Sequence, residues 1–193
     1  LLKRGIRVTL ADMAPHIFAL AAYPEVSAMI EERIDKMGIQ MAFGRALAGA
    51  EKTPEGYRVT FADGETLDTD LLVLNIGTRA ATGLLDPAQV NIDRGVVVNE
   101  RMETSAPGVY AAGDCCQGRD LSTGGTRIIG LWASAVLQGE TAGKNMAGLD
   151  ASYPGNILHN ITHFMGMDFV SFGDKSLPGE RRVFQDRDGR YIE

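Results

Sequence analysis

Cysteine is almost absent from this sequence: two in 193 residues, Cys115 and Cys116, side by side. Two cysteines cannot form a disulfide framework, and no His/Cys spacing resembles a zinc site. Neighbouring thiols close only a strained small ring, so a redox pair is not expected of them. Long apolar runs are lacking too. The stretch "LLVLNI" at Leu71–Ile76 falls far short of the roughly 20 residues that span a bilayer. There is no signal-peptide pattern and no basic run. With 19 Lys and Arg against 25 Asp and Glu, net charge −6, the chain has no electrostatic footprint for nucleic acid. No G-x-G-x-x-G occurs, and there is neither an internal repeat nor a low-complexity segment. Together these absences exclude secreted disulfide scaffolds, membrane spans and nucleic-acid binders, and they favour a reduced, cytoplasmic setting. The first residue is Leu1, so the chain reads as if it begins inside a longer one.

What is present is ordinary for a globular protein: 45% hydrophobic and 23% charged residues. "LLKRG" reads as the last turn of a helix stopped by Gly5, with Lys3 and Arg4 placed where cations suit a helix C-terminus. A strand is expected over Ile6 to Ala11, ending at Asp12. Pro24 to Met37 predicts an amphipathic helix, with Val26, Met29, Ile30, Ile34 and Met37 at helical spacing. "IQMAF" follows as a short strand. "YRVTFADGETL" alternates and turns at Asp63-Gly64, a hairpin signal. "LLVLNIG" predicts a continuous apolar strand buried on both faces. A second helix is expected from about Leu131 to Met146. After Ser152, "ILHNITHF", "MDFVSFG" and "RRVFQDRDGRYIE" read as antiparallel strands, with a turn near Asp188-Gly189. The order implies an α/β fold with a β-rich tail.

The stretch "GVYAAGDCC" carries the chemistry. It reads as a short buried strand that ends on Gly113 and Asp114. In open α/β sheets, ligands sit beyond the C-terminal ends of strands. Glycine lets a backbone approach a ligand closely, and an ionised Asp accepts hydrogen bonds from sugar-alcohol hydroxyls. The alternative is that Asp114 merely caps a turn. After a Gly-rich loop the second helix begins near Leu131, and its first N–H groups and partial positive charge suit an electron-rich carbonyl or an anion. Trp132 in that first turn also reads as a core aromatic.

"TSAPGVYAAGD", then "GLWASAVLQGETAGKNMAG" with "YPGN", resembles the second flavin motif of the pyridine nucleotide–disulfide oxidoreductase superfamily. The likeness is to the branch holding rubredoxin reductases, NADH oxidases and the flavin segment of NADH-dependent nitrite reductases. It covers nearly the whole chain. The resemblance implies parts of Rossmann-like NAD- and FAD-binding domains plus a β-rich C-terminal interface domain. Residues 1–76 would be the C-terminal part of the NAD domain, 77–151 the second half of the FAD domain, and 152–193 the interface domain. Asp114, after Gly113, matches the carboxylate that holds the FAD ribityl chain. Leu131, Trp132 and Ala133 match the helix N-terminus against the flavin's pyrimidine edge. Asp12 sits where an acidic residue binds the ribose 2′-hydroxyl of NAD, so NAD is expected over NADP. Gly77 matches a glycine close to bound NAD.

The sequence also departs from the family pattern. The usual Gly-x-Arg-Pro-Asn is here Gly77-Thr78-Arg79-Ala80-Ala81, and the glycine loop expected just before "LLKRG" is absent. Cys115 and Cys116 are not at the family's redox position and read as small packed residues. His159 and His163, at i and i+4 on a strand, read as interface residues rather than metal ligands. The implied parent is a flavoprotein passing hydride from NADH to FAD and electrons to an acceptor: a small redox protein, oxygen or a disulfide. A homodimer is the expected assembly. Two other readings stay open: a non-catalytic nucleotide-binding fragment, and a dimerisation piece carried by the tail.

Overall fold

The computed structural model describes residues 1–185 and the backbone of 191 and 192. The chain forms two compact units, Leu1–Asn75 with Pro178–Glu193, and Ile76–Leu177.

The first unit is organised by one strand–helix–strand crossover. A 3₁₀ turn, Leu2–Arg4, closes on Gly5, whose φ of 72° is left-handed and whose N–H donates to Leu2 O. Strand β1 (Thr9–Asp12) follows. It starts later than the apolar pattern suggests, although Val8 O still accepts the Gln40 N–H. Helix α1 (Pro24–Lys36) begins on proline and ends in Arg33 and Lys36, as its termini favour. It buries Ser27, Ile30 and Ile34, while Met37 beyond it is exposed. Strand β2 (Gln40–Phe43) then pairs parallel with β1, from Thr9↔Gln40 to Asp12↔Phe43. A parallel pair needs such a crossover, and α1 provides it.

Next comes an antiparallel meander: β3 (Leu47–Thr53), β4 (Gly56–Phe61) and β5 (Thr66–Thr69). Its β4–β5 turn lies at Asp63-Gly64, where Asp63 Oδ1 accepts the Glu65 N–H and Gly64 takes a φ of 87°. Val59 and Phe61 are buried on one face. In the tail, β11 (Phe184–Gln185) pairs antiparallel with β12 (Tyr191–Ile192). The turn expected at Asp188-Gly189 lies outside the described residues.

In the second unit, β6 (Val96–Val97) lies parallel to β7 (Cys116–Arg119), and β8 (Thr126–Arg127) is antiparallel to β7. Helix α2 (Trp132–Met146) lies against β7, where Gln138 reaches Cys116 and Gly118. Val90, Val96, Val98, Met102, Cys116, Ala142 and Tyr153 form the core. A hairpin of β9 (His159–Phe164) and β10 (Met167–Phe172) follows.

Two expected strands do not form. "LLVLNIG" is irregular, and Leu71, Val73, Leu74 and Ile76 are exposed. A strand of that type needs hydrogen-bonded neighbours and a layer on each face, and no described segment pairs with it. "GVYAAGD" makes a single bridge among the described residues, Glu103↔Tyr110, and only Tyr110 to Gly113 are half-buried. Among the described residues it too has no parallel neighbour to complete a ladder. Among the described residues no helix is long and apolar enough to cross a membrane.

Candidate functional site

Gly113 and Asp114 occupy the turn that leads into β7. Gly113 has a φ of 82°, which an L side chain rarely adopts, and a side chain there would begin 3.7 Å from Ala135 Cβ. The turn therefore lies against the first turns of α2. The Asp114 carboxylate is exposed and takes no hydrogen bond among the described residues. It stands beside Gly130, two residues ahead of α2, where a Cβ would begin 3.8 Å from Asp114 Oδ2.

Helix α2 opens toward the same place. Leu131 is its N-cap, extended at φ −124° and ψ 137°, and supplies no side-chain cap. The helix ladder starts with Ala135 N–H to Leu131 O. The N–H groups of Trp132, Ala133 and Ser134 thus have no intrahelical acceptor. No acidic residue occupies the first turn to offset the helix dipole. Trp132 is not the core aromatic that its type suggests, since its side chain is 69% exposed. The structure therefore brings together Gly113, Asp114, Leu131, Trp132 and Ala133: one free carboxylate beside one uncapped set of backbone donors.

Asp12 ends β1 in the first unit and is exposed. Its Oδ1 accepts the Ala14 N–H at 2.8 Å, which holds the carboxylate at the strand end and leaves Oδ2 open. Its backbone oxygen accepts the Arg45 N–H. Gly77 belongs to the second unit. It is exposed with a φ of 91°, and a Cβ there would meet nothing within 4 Å.

The cysteines are both free. Cys116 is fully buried, and its thiol is pushed up to about 12, by burial first and then by Cys115 and Asp114 nearby. A thiol held neutral in this way is a packing residue. In the hairpin, His163 does have a carboxylate beside it, Asp168 directly across the strands at 2.5 Å. His159 instead stacks on Phe172. Among the described residues no cluster of three or more His, Cys, Asp or Glu could hold a metal ion.

A family model described as pyridine nucleotide-disulphide oxidoreductase matches residues 1–139. The chain belongs to that family. The fold is accordingly α/β and Rossmann-like, and the cofactors of this family are FAD and NAD(H).

The pyridine nucleotide-disulphide oxidoreductase chain is 32% identical over 154 residues to an NADH oxidase of Methanocaldococcus jannaschii, covering 78% of this chain and 34% of that one. It is 31% identical over 198 residues to the NADH-dependent phenylglyoxylate dehydrogenase subunit epsilon of Aromatoleum evansii, covering 100% and 47%. Among solved structures, the water-forming NADH oxidase of Lactobacillus brevis, bound to NADH, superposes with a TM-score of 0.88 at 25% identity, covering 95% of this chain and 42% of that one. The chain thus spans a third to a half of the length of these relatives.

Sequence reasoning missed the polar groups that hold this unit together. Gln138 on α2 accepts the Gly113 N–H at 2.8 Å. Asn145 donates to Arg101 O and Ala151 O and accepts the Ala151 N–H. Buried Asp120 accepts from Ser122, Thr123 and Arg127. For Gln138 and Asn145 the only signal was a helix whose polar residues Ser134, Gln138, Thr141 and Asn145 recur at i, i+4, i+7 and i+11; Asp120, after β7, had none.

Proposed function

We propose that the full-length protein is an FAD-dependent NADH oxidoreductase, and that this chain supplies one half of its flavin site. The observation that carries the reading is the exposed, unbonded Asp114 carboxylate beside the uncapped start of α2. The donor set fits the cofactor. An ionised carboxylate accepts from the hydroxyls of a ribityl chain, and helix N–H groups donate to an electron-rich carbonyl. Asp114 would hold the ribityl chain. The backbone of Leu131, Trp132 and Ala133 would face the pyrimidine edge and favour negative charge there. The glycine at 113 lets the turn lie close to both. When bound, the flavin supplies hydride acceptance from NADH and passage of electrons to an acceptor.

Asp12 would accept from a ribose 2′-hydroxyl through its open oxygen and repel a 2′-phosphate. Gly77 would leave room for the nicotinamide nucleotide. Residues 1–76, 77–151 and 152–193 are assigned to the NAD domain, the second FAD half and the interface domain. The acceptor is a small redox protein, oxygen or a disulfide. A homodimer forming through the tail is supported by exposed Ile161, Val170 and Phe172 on the β9–β10 hairpin. For the chain alone, the second reading is favoured by the bare apolar run from Leu71 to Ile76: without strands on either side it is a binding fragment without activity.

The test is anaerobic addition of NADH to the purified full-length protein. The yellow flavin absorbance is expected to bleach, and to bleach more slowly with NADPH, with Asp12→Ala narrowing the difference. A colourless protein, or a clear preference for NADPH, contradicts the reading.

A further inference from the structure

We infer that Gln138 is a positioning residue of the flavin site, fixing the Gly113–Asp114 turn to α2 so that carboxylate and helix N-terminus address one ligand. This rests on the reading of Asp114 as a flavin ligand. Gln138 lies one turn beyond Ser134 on the buried face of α2, and it is 2% exposed. Its Oε1 accepts the Gly113 N–H at 2.8 Å and lies 3.6 Å from Cys116 Sγ, whose one proton has a nearer acceptor in Gly113 O at 3.4 Å. The bond to Gly113 therefore ties the turn to the helix just ahead of the residue that would bind FAD, and Cys116 packs against the same amide on its other side.

The turn depends on that acceptor. The Gly113 N–H points at α2, where Gln138 is its acceptor, and the left-handed φ of Gly113 turns the chain that follows toward Asp114. An apolar residue at 138 would fill the space and leave a half-buried N–H without a partner. The neighbouring strand has conformed to the amide as well. A Cβ at Gly118 would fall 2.6 Å from Gln138 Nε2, so glycine there lets β7 pass close by. Gln138 need not touch the cofactor. It sets where Asp114 stands relative to the free N–H groups, and a ligand contacting both is sensitive to that placement.

The experiment uses the full-length protein with FAD titrations of Gln138→Met, Gln138→Glu, Asp114→Ala and the double variant Asp114→Ala/Gln138→Met. Gln138→Met should weaken FAD binding about tenfold, the loss typical of one hydrogen bond made to a ligand-positioning group. It should also shift the absorption spectrum of the bound flavin. Gln138→Glu keeps an acceptor in place and should restore both. In the double variant, Gln138→Met should add little to Asp114→Ala, because it acts through that carboxylate. Losses that simply multiply, or a Gln138→Met protein with unchanged affinity and spectrum beside a weakened Asp114→Ala, overturn the positioning role. Unchanged affinity in Asp114→Ala itself instead faults the flavin reading. Should Gln138→Met fail to fold, amide exchange in the wild-type protein decides: the Gly113 N–H should be protected before FAD is added, and rapid exchange there overturns the inference.

Discussion

At the scale of single residues, environment decides what a side chain does. The turn at Gly113 and Asp114 was legible from sequence, because glycine followed by a short carboxylate suits a left-handed turn, although the strand expected before it does not form. Trp132 was not, because residue type alone favours burial and the structure leaves it exposed. Cys116 shows the opposite case: burial first, and then Cys115 and Asp114 nearby, hold it neutral. Its pKa in the fold, about 12, stands above its ordinary 9.0. The fold therefore favours the protonated thiol. That contribution is complete below pH 9.0 and is lost as pH rises through about 12. At pH 8 the native thiol therefore stays protonated. Native protein at pH 8 should react with iodoacetamide at Cys116 at least ~100-fold more slowly than urea-unfolded protein. Mass spectrometry of the labelled peptide checks this, and equal labelling in the two states contradicts it.

At the scale of elements, both helices and the strands with local or adjacent partners announced themselves, and the two strands that need distant partners did not form. Pro24 and the basic last turn marked α1 within a residue of its ends. The hairpin turn at Asp63-Gly64 was equally plain, because it is local chemistry. "LLVLNIG" failed because a strand exists only with its partners. Helix α2 was located correctly, yet its buried residues are Ala142 and the polar Ser134, Gln138, Thr141 and Asn145, while Trp132, Val136 and Leu137 face outward. Apolar periodicity cannot foresee a buried polar network. The missing cap of α2 fits a helix kept open for a ligand. Leu131→Asp would close it, since Leu131 already has the extended backbone of a capping residue. In the FAD-free full-length protein this change should add about 0.5–2 kcal/mol of stability, seen as a higher thermal midpoint. FAD affinity should fall, because the new carboxylate takes the N–H groups and adds charge. A variant that is more stable and binds FAD as well as wild type would show that α2 does not face the cofactor.

At the scale of the whole molecule, the family was readable from "TSAPGVYAAGD" and from the α2 segment with "YPGN" after it, and the fold class from the order of strands and helices. The α/β, Rossmann-like architecture follows from the parallel β1–β2 pair crossed by α1. What could not be read were the contacts across β-structure, because Leu71 to Ile76 and the Gly108 to Asp114 stretch have no described strand to complete their ladders. Exposed apolar surface on the first of these stretches, and on β9–β10, fits a chain that spans less than half of its relatives' length. The central claim is that Asp114 and the open N-terminus of α2 together hold FAD. Calorimetric titration of FAD into full-length wild-type and Asp114→Ala protein tests it most directly. A charged hydrogen bond of about 1.5–3 kcal/mol predicts a loss of roughly tenfold to a hundredfold in affinity. An Asp114→Ala protein that binds FAD as tightly as wild type would contradict it.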